Sequence, residues 1–382
     1  MAKKLKVALV HDFLREYGGA ERVVEALHEM FPEAPLYTAF VDREALGIHW
    51  QRFKDWDIRE SRAAGIPFIK KLYSPLRLLS SYFFESFDLH GYDVVISSTN
   101  MYMAKAVITH PPTVHICYCH TPPRSLYGYT TMTDWKKNPL VRIFGELINF
   151  RMRQIDYVTA QRPDVFVANS EEVQSRIKKF YRRESEVIYP PVTMGEDPST
   201  SVGMTNKEKD YYLYVNRLAF SKHPELAVAV CTHENLPLKV VGTGAMLEGL
   251  KESAGQTVEF LGAVSDEKLN DLYTGAKALL YPVKDEDFGI VPMEAMGHGV
   301  PVVAHASGGP LETIIDGKTG IFFSDLSETG LSKAIKKFES AKFDTKFIQK
   351  HAQQFSSEKF KDKINKLIND SVMPAKAGIQ SK

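Results

Sequence analysis

Four ionisable side chains in this sequence stand where apolar runs give way to loops. Arg217 and Lys222 lie in "VNRLAFSKHPELAV", and Glu286 and Glu294 lie in "DEDFGIVPMEAM". Two fixed cations beyond a strand, ahead of a helix whose early residues are Pro224 and Glu225, can neutralise a diphosphate leaving group without a metal. Taken alone, they are equally well ordinary charges on a solvated loop. The two glutamates have seven residues between them. On a continuous helix that spacing leaves them roughly 80° apart, and Gly289 and Pro292 interrupt any such helix. Pro292 suits a first helical position, so the spacing predicts a helix from about Pro292 through Met296, with Glu294 in its first turn and Glu286 in the preceding loop. N–H groups of Phe288, Gly289 and Ile290 then lie between two carboxylates. Carboxylates pair with vicinal hydroxyls, and free N–H groups at a helix start suit phosphate oxygens. An acidic loop followed by an N-terminal helix glutamate is the simpler explanation of the segment by itself.

Each half of the chain also carries glycines soon after a strand. Gly18 and Gly19 open a helix with Glu21 in its first turn, where backbone N–H groups can approach an anion. For a lone glycine pair a tight turn is the simpler explanation. "VGTGAMLEGL", which contains Gly242, lacks the third glycine of a dinucleotide fingerprint and lacks a Walker lysine. "HICYCH" invites a metal reading, but Cys117 and Cys119 share one face of a strand and no C-x2-C accompanies them, so two core cysteines are expected.

The elements that must position these residues alternate between short apolar runs and helical patterns, which predicts parallel sheets with crossover helices. In the first half the strand candidates are "LKVALV" (Leu5 to Val10), "DVVISS" from Asp93, "AKAVIT" from Ala104, "VHICYC" from Val114, "DVFVANS" from Asp164 and "EVIYP" from Glu186. Helical patterns cover Glu21 to Met30, Leu140 to Ala160 and Glu171 to Phe180. The stretch Pro190 to Asp210 is polar, rich in Pro, Ser and Gly, and aperiodic, as a linker would be. A second series follows: "YYLYVNR", a helix from Pro224, "LKVVGTG", "VEFLGAV", a helix from Asp266, "AKALLYP" and "VPVVAHASGG". Two open α/β domains in tandem would leave a cleft between them for a ligand.

In their order, these features resemble a known family. Arg217 and Lys222 followed by the Glu286–Glu294 pair are similar to the E-x7-E signature of retaining glycosyltransferases of family 4, which use sugar nucleotides. "GGAERVVEAL", "CHTPPRSLY", "VANSEEVQSRI", "VNRLAFSK", "VGTGAMLEGL", "FLGAVSDEKLNDLYTGAKALLYP" and "FGIVPMEAMGHGVPVVAHASGGPLETI" fall in the family's order. The resemblance implies an α/β GT-B fold, two Rossmann-like domains with parallel sheets facing across a deep cleft. It implies an acceptor-binding domain over 1–190, a linker over 191–210, a donor-nucleotide domain over 211–355, a helix over 356–372 returning to the first domain, and a loose tail over 373–382. It also implies roles. Gly18 and Gly19 approach the donor phosphates, and His120 sits by the donor sugar. Arg217 and Lys222 hold the diphosphate. Glu286 contacts sugar hydroxyls, assisted by the amides of Phe288, Gly289 and Ile290, and Glu294 grips the ribose. Gly242 and Val291 complete the donor-binding set, and His120, Arg217, Lys222 and Glu286 form the catalytic one. Asn216, where a small residue is commoner, and His223, where a basic residue is usual, depart from the pattern and bear on donor choice.

No residue is poised as a covalent nucleophile, so a front-face reaction is expected in which the leaving diphosphate takes the acceptor's proton and configuration is retained. No Asp-x-Asp motif of the kind metal-dependent transferases use is seen, so neither a catalytic metal nor any other cofactor is expected, the sugar nucleotide being a substrate. The nearest likeness is to bacterial mannosyltransferases of surface-polysaccharide assembly. It implies GDP-mannose as donor, with a UDP-hexose as the alternative, and a lipid-linked or glycan acceptor. A sugar-nucleotide-binding subunit without catalysis is the competing class. Its weakness is that all five polar site residues are present together. A two-carboxylate hydrolase needs opposed carboxyl groups, which nothing in the sequence indicates.

Bulk properties set the frame. The chain has 382 residues, 48 basic against 47 acidic, and only three cysteines, Cys117, Cys119 and Cys231. A net charge of +1 gives no footprint for nucleic acid. So few cysteines fit a reducing compartment, and the apolar runs are too short to span a membrane, so a cytoplasmic location is expected. Within residues 59–78, Arg59, Arg62, Lys70, Lys71 and Arg77 alternate with Ile66, Phe68, Ile69, Leu72, Leu76 and Leu78. That mixture suits an anionic membrane surface, which would make the protein peripheral on the inner face, or a core-facing helix with a solvated basic side.

Overall fold

The computed structural model describes residues 5–131, 135–195 and 209–377. The chain forms two compact units, one built from Met1–Tyr129, Lys136–Pro191 and Ser357–Lys382, the other from Thr130–Trp135 and Val192–Ser356. The first holds a seven-stranded parallel sheet in the order β3-β2-β1-β4-β5-β6-β7. Its strands are β1 (Val7–His11), β2 (Leu36–Thr38), β3 (Ile58–Glu60), β4 (Val94–Thr99), β5 (Val114–Cys119), β6 (Val165–Ala168) and β7 (Glu186–Val187). β1, β4 and β5 are buried along their whole length, which is why they read as continuous apolar runs rather than alternating ones. One core of this unit joins Leu9, Val23, Leu27, Ile96 and Ile116 to Phe360, Ile364 and Ile368 of the Ser357–Ala377 helix. A second joins Val10, Phe13, Phe40, Phe84, Val95 and Met152.

The second unit holds a six-stranded parallel sheet in the order β10-β9-β8-β11-β12-β13. Its strands are β8 (Tyr211–Val215), β9 (Leu238–Val241), β10 (Val258–Gly262), β11 (Ala276–Tyr281), β12 (Val302–His305) and β13 (Gly320–Phe323). In each sheet the strand order reverses once, between β1 and β4 in the first and between β8 and β11 in the second. Such reversals open a crevice at the carboxyl ends of the strands, where open α/β sheets bind ligands.

Several sequence expectations need correction. "AKAVIT" is no strand: Ala104–Ala106 is a single 3₁₀ turn. The buried Asp12 carboxylate accepts the N–H groups of Asn100, Met101, Tyr102 and Ala104 at 2.7 to 2.9 Å, winding the chain around an anion instead of leaving it extended. β2, β3 and β13 are three or four residues long, too short to announce themselves by pattern. Residues 59–78 are not one helix but β3, short turns at Arg62–Gly65 and Pro75–Leu79, and a single α-turn at Ile69–Leu72. Phe68, at φ 59°, and Pro75 break any longer run. The last helix continues past residue 372 to Ala377, Pro374 included, and 378–382 lie outside the described residues. Most of the expected linker, 196–208, also lies outside them.

Candidate active site

In the second unit, the loop after β8 supplies Arg217 and Lys222, and the loop after β11 supplies Glu286, so the loops that carry them flank the sheet's switch point. Lys222, in the 3₁₀ turn Phe220–Lys222, pairs with Glu286 through Nζ–Oε2 at 2.5 Å, with 13% and 11% of the two side chains exposed. The same Oε2 accepts the Tyr281 hydroxyl at 2.9 Å. Burial and the neighbouring Glu286 hold the Tyr281 phenol well above its ordinary range, so it stays a hydrogen-bond donor. Arg217 is exposed on the loop just past β8. His223, the departure from the family pattern, takes φ 48°, caps the Pro224–His233 helix and pairs with Glu225 at 2.9 Å.

The backbone carrying Glu286 is clamped. Ser307 Oγ accepts the Asp285 N–H at 2.9 Å, and the Gly309 N–H donates to the Glu286 carbonyl at 2.8 Å. A Cβ on Gly309 would fall 2.4 Å from Phe288 Cα, so the two loops touch backbone to backbone only because this residue has no side chain. The helix after the clamp runs from Ile290 to Gly297, two residues earlier than expected. Gly289 at φ 93° is its N-cap, and Pro292 is the third helical residue, where a missing N–H costs no helical hydrogen bond. Glu294 therefore sits in the second turn, not the first. It is buried and its Oε2 accepts the Tyr273 hydroxyl at 3.1 Å. His298 stacks on Tyr273 with centroids 5.1 Å apart and meets the Glu294 carbonyl at 2.8 Å. Burial pushes its imidazole down to about 4, so it is neutral at pH 7.

The N–H groups of Ile290 and Val291 open this helix without intrahelical partners, as first-turn amides do, and Phe288 is buried against Phe355. Gly242 differs. Its N–H already donates to the Gly262 carbonyl at 2.8 Å, and a Cβ there would fall 1.9 Å from the Asn216 carbonyl oxygen. It lets two loops pack rather than presenting a donor. Asp285–Glu286–Asp287 does carry an Asp-x-Asp spacing, which the sequence expectation overlooked. Among the described residues no three His, Cys, Asp or Glu side chains converge as a metal site would need.

In the first unit the expected residues bring partners that sequence reasoning missed. Gly18 caps the Gly19–Met30 helix, but its N–H donates to Glu21 Oε2 at 2.8 Å. Glu21 Oε1 takes His11 Nε2 at 3.3 Å, His11 Nδ1 lies 3.1 Å from Ser98 Oγ, and Ser98 Oγ lies 2.8 Å from His120 Nε2. All four residues are buried, and His11, Ser98 and His120 stand at or just beyond the carboxyl ends of β1, β4 and β5, beside that sheet's switch point. Burial opposes the charged form of both His11 and Glu21, yet their mutual hydrogen bond and charge outweigh it. His11 is held above its ordinary value and Glu21 below it. A protonated His11 donates from both nitrogens, to Glu21 and to Ser98. Its Nδ1 has two acceptors on Ser98, the hydroxyl at 3.1 Å and the carbonyl at 3.2 Å. The signal in the sequence was "VHDF", two polar residues ending a buried strand. Cys117 and Cys119 are buried free thiols in the core, as expected, with their pKa raised by burial.

Both units match known proteins. Residues 17–195 match the family described as Glycosyltransferase Family 4, and residues 200–354 match Glycosyl transferases group 1. The alpha-1,3/1,6-mannosyltransferase ALG2 of Candida glabrata is 27% identical over 379 residues, covering 82% of this chain and 79% of that protein. ALG2 of Kluyveromyces lactis is 25% identical over 378 residues, covering 81% and 71%. Among solved structures, HepE of Anabaena in complex with UDP-glucose superposes with a TM-score of 0.67 at 17% identity, covering 96% of this chain and 100% of that one. Sucrose-phosphate synthase of Thermosynechococcus elongatus gives 0.69 at 19%, covering 96% and 99%. These neighbours share the GT-B fold, here with a parallel sheet in each unit. Matched through both units, the chain belongs to the family 4, group 1 glycosyltransferases.

Proposed function

We propose that this protein transfers mannose from GDP-mannose to a lipid-linked or oligosaccharide acceptor, with retention of configuration and without a catalytic metal. The observation that carries the reading is the Lys222–Glu286 pair at the switch point of the second sheet, next to the first-turn amides that open the Ile290–Gly297 helix. Lys222 and Arg217 neutralise the diphosphate, and the amides of Ile290 and Val291 add fixed dipoles, so the phosphate leaves with its charge already met. Glu286 orients Lys222 and accepts a sugar hydroxyl through Oε1, while Glu294 accepts the ribose hydroxyls. The acceptor hydroxyl attacks from the side on which the diphosphate departs. The bond from the anomeric carbon to phosphate oxygen breaks, the bond to acceptor oxygen forms, and the acceptor proton passes to the departing phosphate. The resemblance gives His120, held by Ser98, a role at the donor sugar and gives Gly18 and Gly19 a role near the donor phosphates.

The mannosyl assignment leans on the ALG2 relatives, which are mannosyltransferases, and the complex of HepE with UDP-glucose supports a UDP-hexose as the second reading. A thermal-shift panel of GDP- and UDP-sugars, followed by transfer to a lipid-linked glycan, separates them. Stabilisation by GDP-mannose with transfer is expected. Stabilisation by UDP-sugars alone would replace the donor, and binding without turnover on any acceptor would leave a sugar-nucleotide-binding subunit.

A further inference from the structure

The Pro139–Thr159 helix carries its polarity the wrong way round for a helix in a water-soluble domain. Its packed side holds Asn149, Asp156 and Thr159 beside Met152. Asn149 accepts from Arg77 at 2.6 Å, and Asp156 accepts from Lys105 at 2.6 Å and from the Tyr127 and Tyr181 hydroxyls. The opposite side presents Leu140, Ile143, Phe144, Leu147, Phe150 and Val158, each 56 to 68% exposed. These fall at helical spacing along one stripe of a 21-residue helix, about 31 Å long. Scattered exposed leucines are ordinary, but an apolar stripe of this length marks a docking face.

Apolar side chains are also exposed on turns that precede and pack against this helix. The Pro75–Leu79 turn is joined to the helix through the Arg77–Asn149 hydrogen bond and exposes Leu79. The preceding turns expose Leu72 at 44% and Phe68 at 71%, with Phe68 in the left-handed conformation. Charge then identifies the occupant. From Ser61 to Phe84 there are four cations, Arg62, Lys70, Lys71 and Arg77, and no carboxylate. Over residues 136–159 there are five cations and two carboxylates, one of which, Asp156, is buried. A chain balanced at 48 basic and 47 acidic residues thus concentrates its surplus of positive charge in the two segments that also expose its apolar side chains. Of these cations Lys70 is partly satisfied by Asp42 at 3.6 Å, and Arg77 donates inward to Asn149 at 2.6 Å. A second copy of the chain meeting this face about a two-fold axis would set cation against cation. A sheet of anionic headgroups over acyl chains answers both the charge and the apolar stripe. Among the described residues no helix is long and apolar enough to cross a membrane, so the contact lies along the surface.

We propose that the Pro139–Thr159 helix lies in the headgroup layer of an anionic membrane, with its exposed leucines, isoleucine and phenylalanines immersed and the Phe68–Leu72 turn as a second anchor. The anchor expected within 59–78 becomes the minor part of a surface centred on a different helix. The proposal is independent of which donor or acceptor the enzyme uses.

The test is co-sedimentation of the full chain with phosphatidylcholine vesicles, with and without phosphatidylglycerol. The wild type is compared with Phe144→Ser, Leu147→Gln and the double variant. All three change only exposed side chains, and an unchanged melting temperature and nucleotide-sugar affinity show that folding is intact. Binding is expected with phosphatidylglycerol present, weaker at high salt, and reduced about tenfold by each single substitution and about a hundredfold by both. Wild-type protein that stays in the supernatant, or variants that sediment as well as wild type, would overturn the proposal. So would a wild-type dimer in sedimentation velocity that the variants dissolve without any vesicle binding, since the face would then belong to a second copy.

Discussion

Replacing Glu286 by Gln keeps the shape of the side chain and removes its charge, which isolates what the carboxylate does for Lys222. In the native protein one oxygen holds both Lys222 Nζ at 2.5 Å and the Tyr281 hydroxyl at 2.9 Å. The amide oxygen of Gln can still accept from Tyr281, but the ammonium loses its counter-ion where only 13% of its side chain reaches water. Breaking a fully buried ion pair costs about 3–5 kcal/mol, and an exposed one is worth under about 1 kcal/mol. A pair with roughly a tenth of its surface in water lies between, at about 2–3 kcal/mol. Lys222→Met removes the stranded cation, so the double variant should be less destabilised than the sum of the singles by about 2 kcal/mol. Denaturant unfolding of the four proteins measures that coupling. For turnover, each single variant should lower kcat about a hundredfold and the double variant should be no worse than the weaker single, because the two side chains act as one unit. Stability effects that add within about 0.5 kcal/mol would show the pair to be incidental, and unchanged kcat in both singles would remove it from the reaction.

Three further outcomes follow from other contacts. Glu21→Gln should cost about 1–3 kcal/mol, and its difference from wild type should depend on pH. Glu21, held low, contributes fully above its unfolded value of 4.5 and loses that contribution as pH falls through its folded value, while His11, held high, contributes fully below 6.5 and loses it as pH rises through its folded value. The melting-temperature difference should therefore be largest between about pH 4.5 and 6.5, and a flat difference across about pH 3 to 9 would refute the pairing. Asp156→Ala strands the buried Lys105 and two tyrosine hydroxyls and should destabilise by about 3–5 kcal/mol, with Lys105→Met added to it restoring part of the loss in denaturant unfolding. Gly309→Ala forces the loop bearing Glu286 and Phe288 away from the loop after β12 and should lower kcat by about a hundredfold, and wild-type turnover would show that the loops have slack.

Most of the strands and long helices were legible because they are buried on both faces or strongly amphipathic, as with "VHICYC" and the Glu171–Tyr181 helix. Legibility failed where a distant group decides local conformation. Nothing near Ala104 says that Asp12, far back along the chain, will claim the surrounding amides and turn an apolar run into a 3₁₀ bend. The start of the Ile290 helix was misplaced because proline serves in any of the first helical positions, and only the φ of Gly289 chooses among them. The residues of the candidate site were readable by type and order. Their contacts were not: Lys222 and Glu286 are 64 residues apart, and the His11–Ser98–His120 chain links three strands. Periodicity placed the Pro139–Thr159 helix correctly but gave no sign of which side faces inward, because that side is fixed by Arg77, Lys105 and Tyr127 from elsewhere.

The Ser357–Ala377 helix gives the first unit a peculiar schedule. Phe360, Ile364 and Ile368 belong to the same core as β1 and β4, yet along the chain they follow the whole of the second unit. The second unit can close as soon as its own final segment emerges, while the first waits with an apolar seam open until the helix beyond the second unit has been made. A chain that stops short of this helix therefore carries a permanently unsealed core, which cellular quality control can recognise. Completeness of the first unit is in effect certified by residues translated after the second.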